Sequence, residues 1–338
     1  VVKICLLWFS TTAYINSRPT QKNDYTKSAC FDLIEKNLKI NKMKIHLFIQ
    51  EITGIGTLFR LYEKCSSVDY TVQIIWNTPH TEDDENPKII IPVDVESNAV
   101  LFGKDNVAAI YRMLDDKIDF YQWLQWNNDI LGSKIRLIPK GVPGGSVKKY
   151  MIKHRRGYGS LNNVVREDFY ERLLDDFPIE QYQIQEWIKV DTVLACDGFA
   201  RDGSLKSVFY TMKKSVAKFQ DYEKGYPLQY KNYIPRPEIE SFVVAIVERI
   251  SYTGFFQFEF IQDRRGQIYI LECNPRISGL VFSQHYFDHI LTPYLRNEFE
   301  IPRTHDEEGE DYFPPLWKEI IRITGSIFLR YLGLNNGE

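Results

Sequence analysis

Residues Phe255 to Gly279 read FFQFEFIQDRRGQIYILECNPRISG, and this stretch decides the architecture. Two runs rich in aromatic and β-branched residues flank the turn Asp263-Arg264-Arg265-Gly266, which makes them a β-hairpin. With Gln262 paired to Gln267, Gln257 stands opposite Glu272 and Glu259 opposite Ile270, all on one face. Glu259 then lies diagonally across from Glu272. The other face carries Phe256, Phe258 and Phe260 against Tyr269 and Leu271, a core-facing set.

Two carboxylates converging on one sheet face, with Asn274 two residues beyond Glu272, offer hard oxygen ligands of the kind that suit Mg²⁺ and the phosphates it accompanies. Without a cation they would repel one another. A solvated polar hairpin face explains the pair alone equally well. The following Asn274-Pro275-Arg276 favours the site, because Pro275 fixes the strand exit and Arg276 sets a permanent cation beside the acids. Gln257 shares the face of Glu259 and competes with it for the first metal position.

Working outward, Lys149-Tyr150-Met151-Ile152-Lys153-His154-Arg155-Arg156-Gly157-Tyr158-Gly159-Ser160 reads as a strand ending near Lys153 and a basic glycine loop. Backbone N–H groups of such a loop wrap phosphates, although the GxxxxGK[ST] spacing of a Walker loop is absent. Between these two segments, Ile184-Gln185-Glu186-Trp187-Ile188 is an apolar strand with one carboxylate. None of the three is specific alone. Their order is: a Lys strand with a glycine loop, a Gln-Glu-aromatic-Ile strand, and a Glu…Glu-x-Asn-Pro-Arg hairpin.

The rest of the chain supplies the frame. Strands over Met43–Ile49, Tyr70–Trp76 and Lys88–Val93, with a helical stretch to about Lys64 between the first two, imply βαβ units on a parallel sheet. Residues 104–127 show helical spacing. Gly54-Ile55-Gly56 invites a dinucleotide reading, but Phe59 replaces the third glycine and no acid closes the second strand, so a tight turn is the better account. From about residue 134 the pattern becomes strands joined by turns (135–138, 148–153, 182–188, 192–196, 208–211, 255–262, 267–273), with helices at 166–175 and 237–251. This is an α+β domain on a largely antiparallel sheet.

The 338 residues carry 42 Lys+Arg against 45 Asp+Glu, a formal charge of −3, with 44% hydrophobic residues. That balance argues against bulk nucleic-acid binding, which needs a basic surface. Cys5, Cys30, Cys65, Cys196 and Cys273 form no CxxC pair, so reduced thiols in a cytoplasmic protein are the simplest expectation. The apolar run Ile4–Ile15 is shorter than the ~20 residues a bilayer helix needs. Residue 1 is Val and the first methionine is Met43, so residues 1–42 are expected to be an upstream extension, disordered or not translated.

The ordered set of segments resembles the ATP-grasp superfamily, particularly its carboxylate–amine ligases and the ATP-binding modules of carbamoyl-phosphate synthase. The resemblance runs from about Asp115 to Gly279, and its most specific parts are the GYGS loop and the LECNPRISG strand end. It implies a Rossmann-like α/β domain over 43–114, an ATP-grasp domain of two α+β subdomains over 115–299, and a tail with a helix over 300–338. By this resemblance Lys117 and Lys153 contact phosphates, and Gly157, Tyr158, Gly159 and Ser160 close over them. Glu186 would meet the adenine amino group through its carbonyl, while Trp187 and Ile188 line the purine pocket. Family members place a Gly and then a Glu after this strand. Here Val190, Asp191 and Thr192 stand there, which makes Asp191 the candidate ribose ligand. Glu259, Glu272 and Asn274 would hold one or two Mg²⁺ or Mn²⁺ ions, with Arg276 near the transferred phosphoryl group; Arg276 and Lys153 are the expected catalytic residues.

The implied activity is Mg-dependent transfer of the ATP γ-phosphoryl group to a carboxylate, then attack on the acylphosphate by an amine or other nucleophile. Small-molecule carboxylate and amine substrates, and a homodimer, are the expected partners, with no nucleic acid and no membrane. A non-catalytic ATP-binding module is the alternative, and a NAD-dependent oxidoreductase a distant one. His285 and His289, four apart without an HExxH glutamate, read as surface or substrate-pocket residues.

Overall fold

The computed structural model describes residues 44–49, 58, 61, 65, 71–76, 88–103, 108–156, 163–215, 228–232 and 236–297, all within the unit Met43–Glu338. Residues 1–42 and 298–338, and the glycines at 54 and 56, lie outside them.

Strands β1 (Lys44–Ile49), β2 (Thr71–Trp76) and β3 (Lys88–Pro92) make a parallel sheet in the order β2-β1-β3, as the alternation implied. The chain leaves β3 into helix α1 (Val95–Phe102), which the sequence reading missed. Asp94 and Ser97 form a capping box there: the Asp94 carboxylate accepts from Ser97 N at 2.7 Å and Ser97 Oγ accepts from Asp94 N at 3.0 Å.

The helix expected over 104–127 is two helices, α2 (Ala108–Asp115) and α3 (Lys117–Trp126), with residues 104–107 undescribed. Apolar periodicity runs through both, which hides the break. Asp116 makes it: its carboxylate caps the amides of Ile118 and Asp119, and Lys117 N donates to Arg155 O, 3.0 Å, instead of to the preceding turn. The break leaves Lys117 as the first residue of α3.

Strand β4 (Ile135–Leu137) follows, then β5 (Lys148–His154), β6 (Val164–Asp168), helix α4 (Tyr170–Asp176) and β7 (Tyr182–Glu186). These three later strands form an antiparallel sheet in the order β6-β5-β7, with α4 packed on one face through Leu173. The helix expected at 166–175 is thus a correction. Residues 164–168 pair with β5, Ile152 facing Val164, and only the remainder is helical. Cross-strand pairing overrides the weak helical spacing of so short a segment.

The large sheet has six strands in the order β10-β9-β8-β11-β12-β4, where β8 is Val190–Arg201, β9 Ser204–Ser215, β10 Leu228–Asn232, β11 Gly254–Asp263 and β12 Ile268–Asn274. It is antiparallel except where β12 meets β4. One face is covered by α2, α3 and helix α5 (Pro237–Arg249), burying Tyr111, Phe120, Leu124, Phe242 and Ile246 against Phe256, Phe258 and Phe260. Each such side chain contributes about 1.5–3 kcal/mol.

The hairpin register differs from the expectation. Gln262 pairs with Ile268, so the loop takes one residue more, because the Asp263 carboxylate accepts from the amides of both Arg265 and Gln267 at 2.9 Å. A bulge between Glu259 and Phe260 then moves the register again, and Glu259 stands directly opposite Glu272, with Gln257 opposite Asn274. Ile268, Ile270 and Cys273 therefore join the phenylalanines, whereas Tyr269 and Leu271 lie on the opposite face.

Candidate active site

The face of the six-stranded sheet opposite α2, α3 and α5 is built in three steps. Val193, Ile261 and Leu271, with Ile138, Ile188 and Val190, form an apolar shelf. Next to it runs the row Thr211–Ala195–Glu259–Glu272, and beyond that the row Phe209–Asp197–Gln257–Asn274. At the far end Phe209, Phe199 and Phe255 pack with Ile277, Leu280, Tyr286, Phe287 and the β1 residues Ile45 and Leu47. The site therefore grades from apolar to anionic to mixed polar across one sheet surface.

Glu259 is only 7% exposed and faces Glu272 across an antiparallel pair, an arrangement that like charges destabilise. Lys117 answers it: its ammonium lies 3.5 Å from Glu272 Oε2, and its carbonyl accepts from Gln183 Nε2 at 3.1 Å. Asn274 Nδ2 donates to Glu272 Oε1 at 3.4 Å, and Arg276 Nη2 donates to Asn274 Oδ1 at 3.3 Å. Among the described residues no group of three or more His, Cys, Asp or Glu side chains converges. Two carboxylates and an amide oxygen match a cation that takes the rest of its shell from water and phosphate, as Mg²⁺ does.

Lys153 projects from β5 toward the same acids. It is 4% exposed and its ammonium makes no hydrogen bond among the described residues. Burial pushes its pKa from 10.5 down to about 8, with Lys117 acting in the same direction and Glu272 and Glu259 opposing. A buried amine held near acids without a bonded partner is poised for an anion.

The remaining expected residues divide. Trp187 N donates to Lys149 O at 2.8 Å and its ring lies under the Lys149 ammonium, 4.0 Å from the centroid, while Ile188 packs on the shelf. The side chain of Glu186 pairs with Lys148 and its amide donates to Pro139 O at 2.8 Å. Asp191 is exposed at the start of β8, accepting from Thr192 Oγ1 at 3.4 Å. Gly157, Tyr158, Gly159 and Ser160 lie outside the described residues. The basic run that enters that loop is not a uniform phosphate surface: Arg155 pairs with Asp116 at 2.6 Å and Asp119 at 2.8 Å, and Arg156 with Asp116 at 3.3 Å. His285 and His289 stack parallel, 6.3 Å between centroids, and His289 stacks on Phe209 at 6.0 Å.

Sequence reasoning missed the supports. Asn98 on α1 donates to Phe255 O at 3.0 Å and Pro275 O at 2.8 Å and accepts from Phe255 N at 3.3 Å, tying the start of β11 to the Asn-Pro-Arg exit. Gly254 permits this approach, since its φ is +130° and a Cβ there would meet Asn98 Oδ1 at 2.8 Å. Asp116, fully buried, and Asp197, likewise buried, were also overlooked. Only Asp116 left a local signal, an N-cap residue directly before Lys117.

No family model and no curated protein matches the chain. Solved structures do. D-alanyl-alanine synthetase A from Vibrio cholerae superposes with a TM-score of 0.50 at 11% identity, covering 76% of this chain and 98% of that one. Carboxyaminoimidazole ribonucleotide synthase from Aspergillus clavatus, complexed with ATP, gives 0.49 at 14% identity over 80% and 81% of the two chains. N5-carboxyaminoimidazole synthetase from Staphylococcus aureus gives 0.47 at 13% over 77% and 80%. With its sheet order and the match to the Vibrio cholerae synthetase, the chain has the ATP-grasp fold.

Proposed function

We propose that the protein is an ATP-dependent carboxylate–amine ligase whose site lies on the face of the large sheet opposite α2, α3 and α5. The observation that carries this reading is the gathering of two buried lysines, Lys117 in an ion pair with Glu272 and Lys153 near by, beside two carboxylates set directly opposite each other, Glu259 and Glu272. Bringing these four charges together under burial is costly, and Mg-ATP would offset the cost with a cation for the acids and phosphate oxygens for the lysines.

In this reading the purine lies on the Ile188–Val193–Ile261 shelf beside Trp187, with Glu186 and Ile188 offering backbone groups and Asp191 a ribose contact. Glu259, Glu272 and Asn274 would hold one or two Mg²⁺ or Mn²⁺ ions, which supply charge neutralisation along the triphosphate. Lys153 and Lys117 hold phosphate oxygens, and Gly157 to Ser160 belong to the same phosphate site. A carboxylate oxygen of the acceptor forms a bond to Pγ as the bond from Pγ to the bridging oxygen breaks, and ADP leaves with the electron pair. An amine then attacks the acylphosphate carbon; the C–O bond breaks, inorganic phosphate leaves, and the nitrogen gives up its proton. Arg276 offsets the charge of the transferring group. The division at residues 114/115 into an α/β and an ATP-grasp domain belongs to the same proposal.

The test is phosphate release from Mg-ATP across panels of carboxylates, amino acids and amines, with Glu272→Ala as control. An acid-dependent rate that Glu272→Ala abolishes is the expected result. ATP stabilisation without any acid-stimulated turnover supports a nucleotide-binding module instead.

A further inference from the structure

Beside the carboxylate row stands a polar group that the nucleotide reading leaves unused. Gln257 uses both amide hydrogens: Nε2 donates to Asp197 Oδ1 at 3.0 Å and to Ser278 Oγ at 2.9 Å. Asp197 is fully buried on β8, and Ser278 is pinned by Leu280 N, 3.1 Å, and through its own amide to the Tyr286 hydroxyl, 3.4 Å. Asp197 and Ser278 both accept from Nε2, so they hold the Gln257 amide by its nitrogen end. The carbonyl Oε1 is turned away from both partners, no hydrogen bond reaches it among the described residues, and Gln257 keeps 6% of its surface accessible.

Position gives this oxygen a use. The apolar shelf lies on one side of the Glu259–Glu272 row and Gln257, Asn274 and Arg276 on the other. A nucleotide with its base on the shelf brings its terminal phosphate to the carboxylate row. Whatever receives that phosphate, and whatever attacks the product, then approaches over the Gln257 row, which Phe209 with His289 and Tyr286 close at the far end.

We infer that Gln257, fixed by Asp197, binds the nucleophile: Oε1 accepts an N–H from the attacking amine. Gln257 is the binding group and Asp197 a positioning residue that keeps its amide from turning over. The inference rests on the ligase reading above.

The experiment uses the full chain. Thermal stabilisation by Mg-ATP is measured first, then phosphate release with α-amino acids, their des-amino counterparts, ammonium, methylamine and hydroxylamine. Gln257→Met keeps the length and removes the acceptor. It is expected to raise the KM of the stimulating amine about tenfold, in line with loss of one hydrogen bond, with the KM for ATP and the Mn²⁺ activation constant held within about twofold. Asp197→Asn, which lets the amide rotate, is expected to do the same. The inference is overturned by an unchanged amine KM in Gln257→Met, by a shift in the Mn²⁺ constant in its place, or by a chain that Mg-ATP stabilises and no N–H compound turns over. Absence of both Mg-ATP stabilisation and ATP turnover in the unmodified chain is a different failure, that of the ligase reading itself.

Discussion

Replacing Lys153 by Met should stabilise the ligand-free protein near neutral pH while weakening its hold on nucleotide. Lys153 is 4% exposed with an ammonium that makes no hydrogen bond among the described residues, and its pKa falls from 10.5 to about 8. At 1.36 kcal/mol per unit, the drop corresponds to about 3 kcal/mol of penalty on the charged form. The sign follows from proton binding: between pH 8 and 10.5 the unfolded chain binds more protons at this residue than the folded one, so its contribution to stability rises with pH through that window. Below pH 8 the full penalty is present. Lys153→Met removes it, so urea unfolding in EDTA without nucleotide should show the variant more stable by up to about 3 kcal/mol at pH 7, with the gap closing toward pH 10. Addition of Mg-ATP should reverse the order, because an anion beside Lys153 offsets the penalty in the parent protein and finds no charge in the variant. A variant less stable at pH 7, or a difference that does not vary between pH 8 and 10, would refute the account of Lys153 as an ammonium held without an anion.

Three other perturbations follow from the supports. Asp116→Asn keeps an N-cap acceptor but removes the charge that Arg155 and Arg156 bind; loss of about 1.5–3 kcal/mol in urea unfolding is expected, with a larger loss in Asp116→Ala as the cap goes too. Glu259→Gln relieves the opposition to Glu272, so in EDTA it should gain about 0.2–1 kcal/mol, while calorimetric Mn²⁺ affinity in the presence of ATP falls. Asn98→Asp turns an oxygen toward Phe255 O and Pro275 O in place of an N–H donor. Its thermal midpoint should fall below that of Asn98→Ala, since repulsion adds to the about 1–3 kcal/mol that each stranded buried group costs.

The candidate residues were legible because they keep short, ordered spacings: Lys153 stands one residue before the end of β5, Glu272 and Asn274 close β12, and Trp187 and Ile188 follow β7 directly. The misreadings share a cause. The loop that Asp263 widens and the bulge beside Glu259 depend on hydrogen bonds that alternation does not encode, and each moved the register by one. The continuous apolar period across 108–126 concealed the Asp116 cap, because the period records burial and not backbone continuity.

By itself the sequence determined the three parallel strands β1 to β3, the β11–β12 hairpin and the core face of β11, since these follow from local periodicity and turn chemistry. Tertiary structure alone decided that Glu259 faces Glu272, that Lys117 reaches Glu272 from a helix start 155 residues earlier in the chain, that Arg155 serves Asp116, and that Asp197 turns Gln257. These are pairings between elements far apart in the chain, set by which faces can be buried together and by where each buried polar group finds its partner.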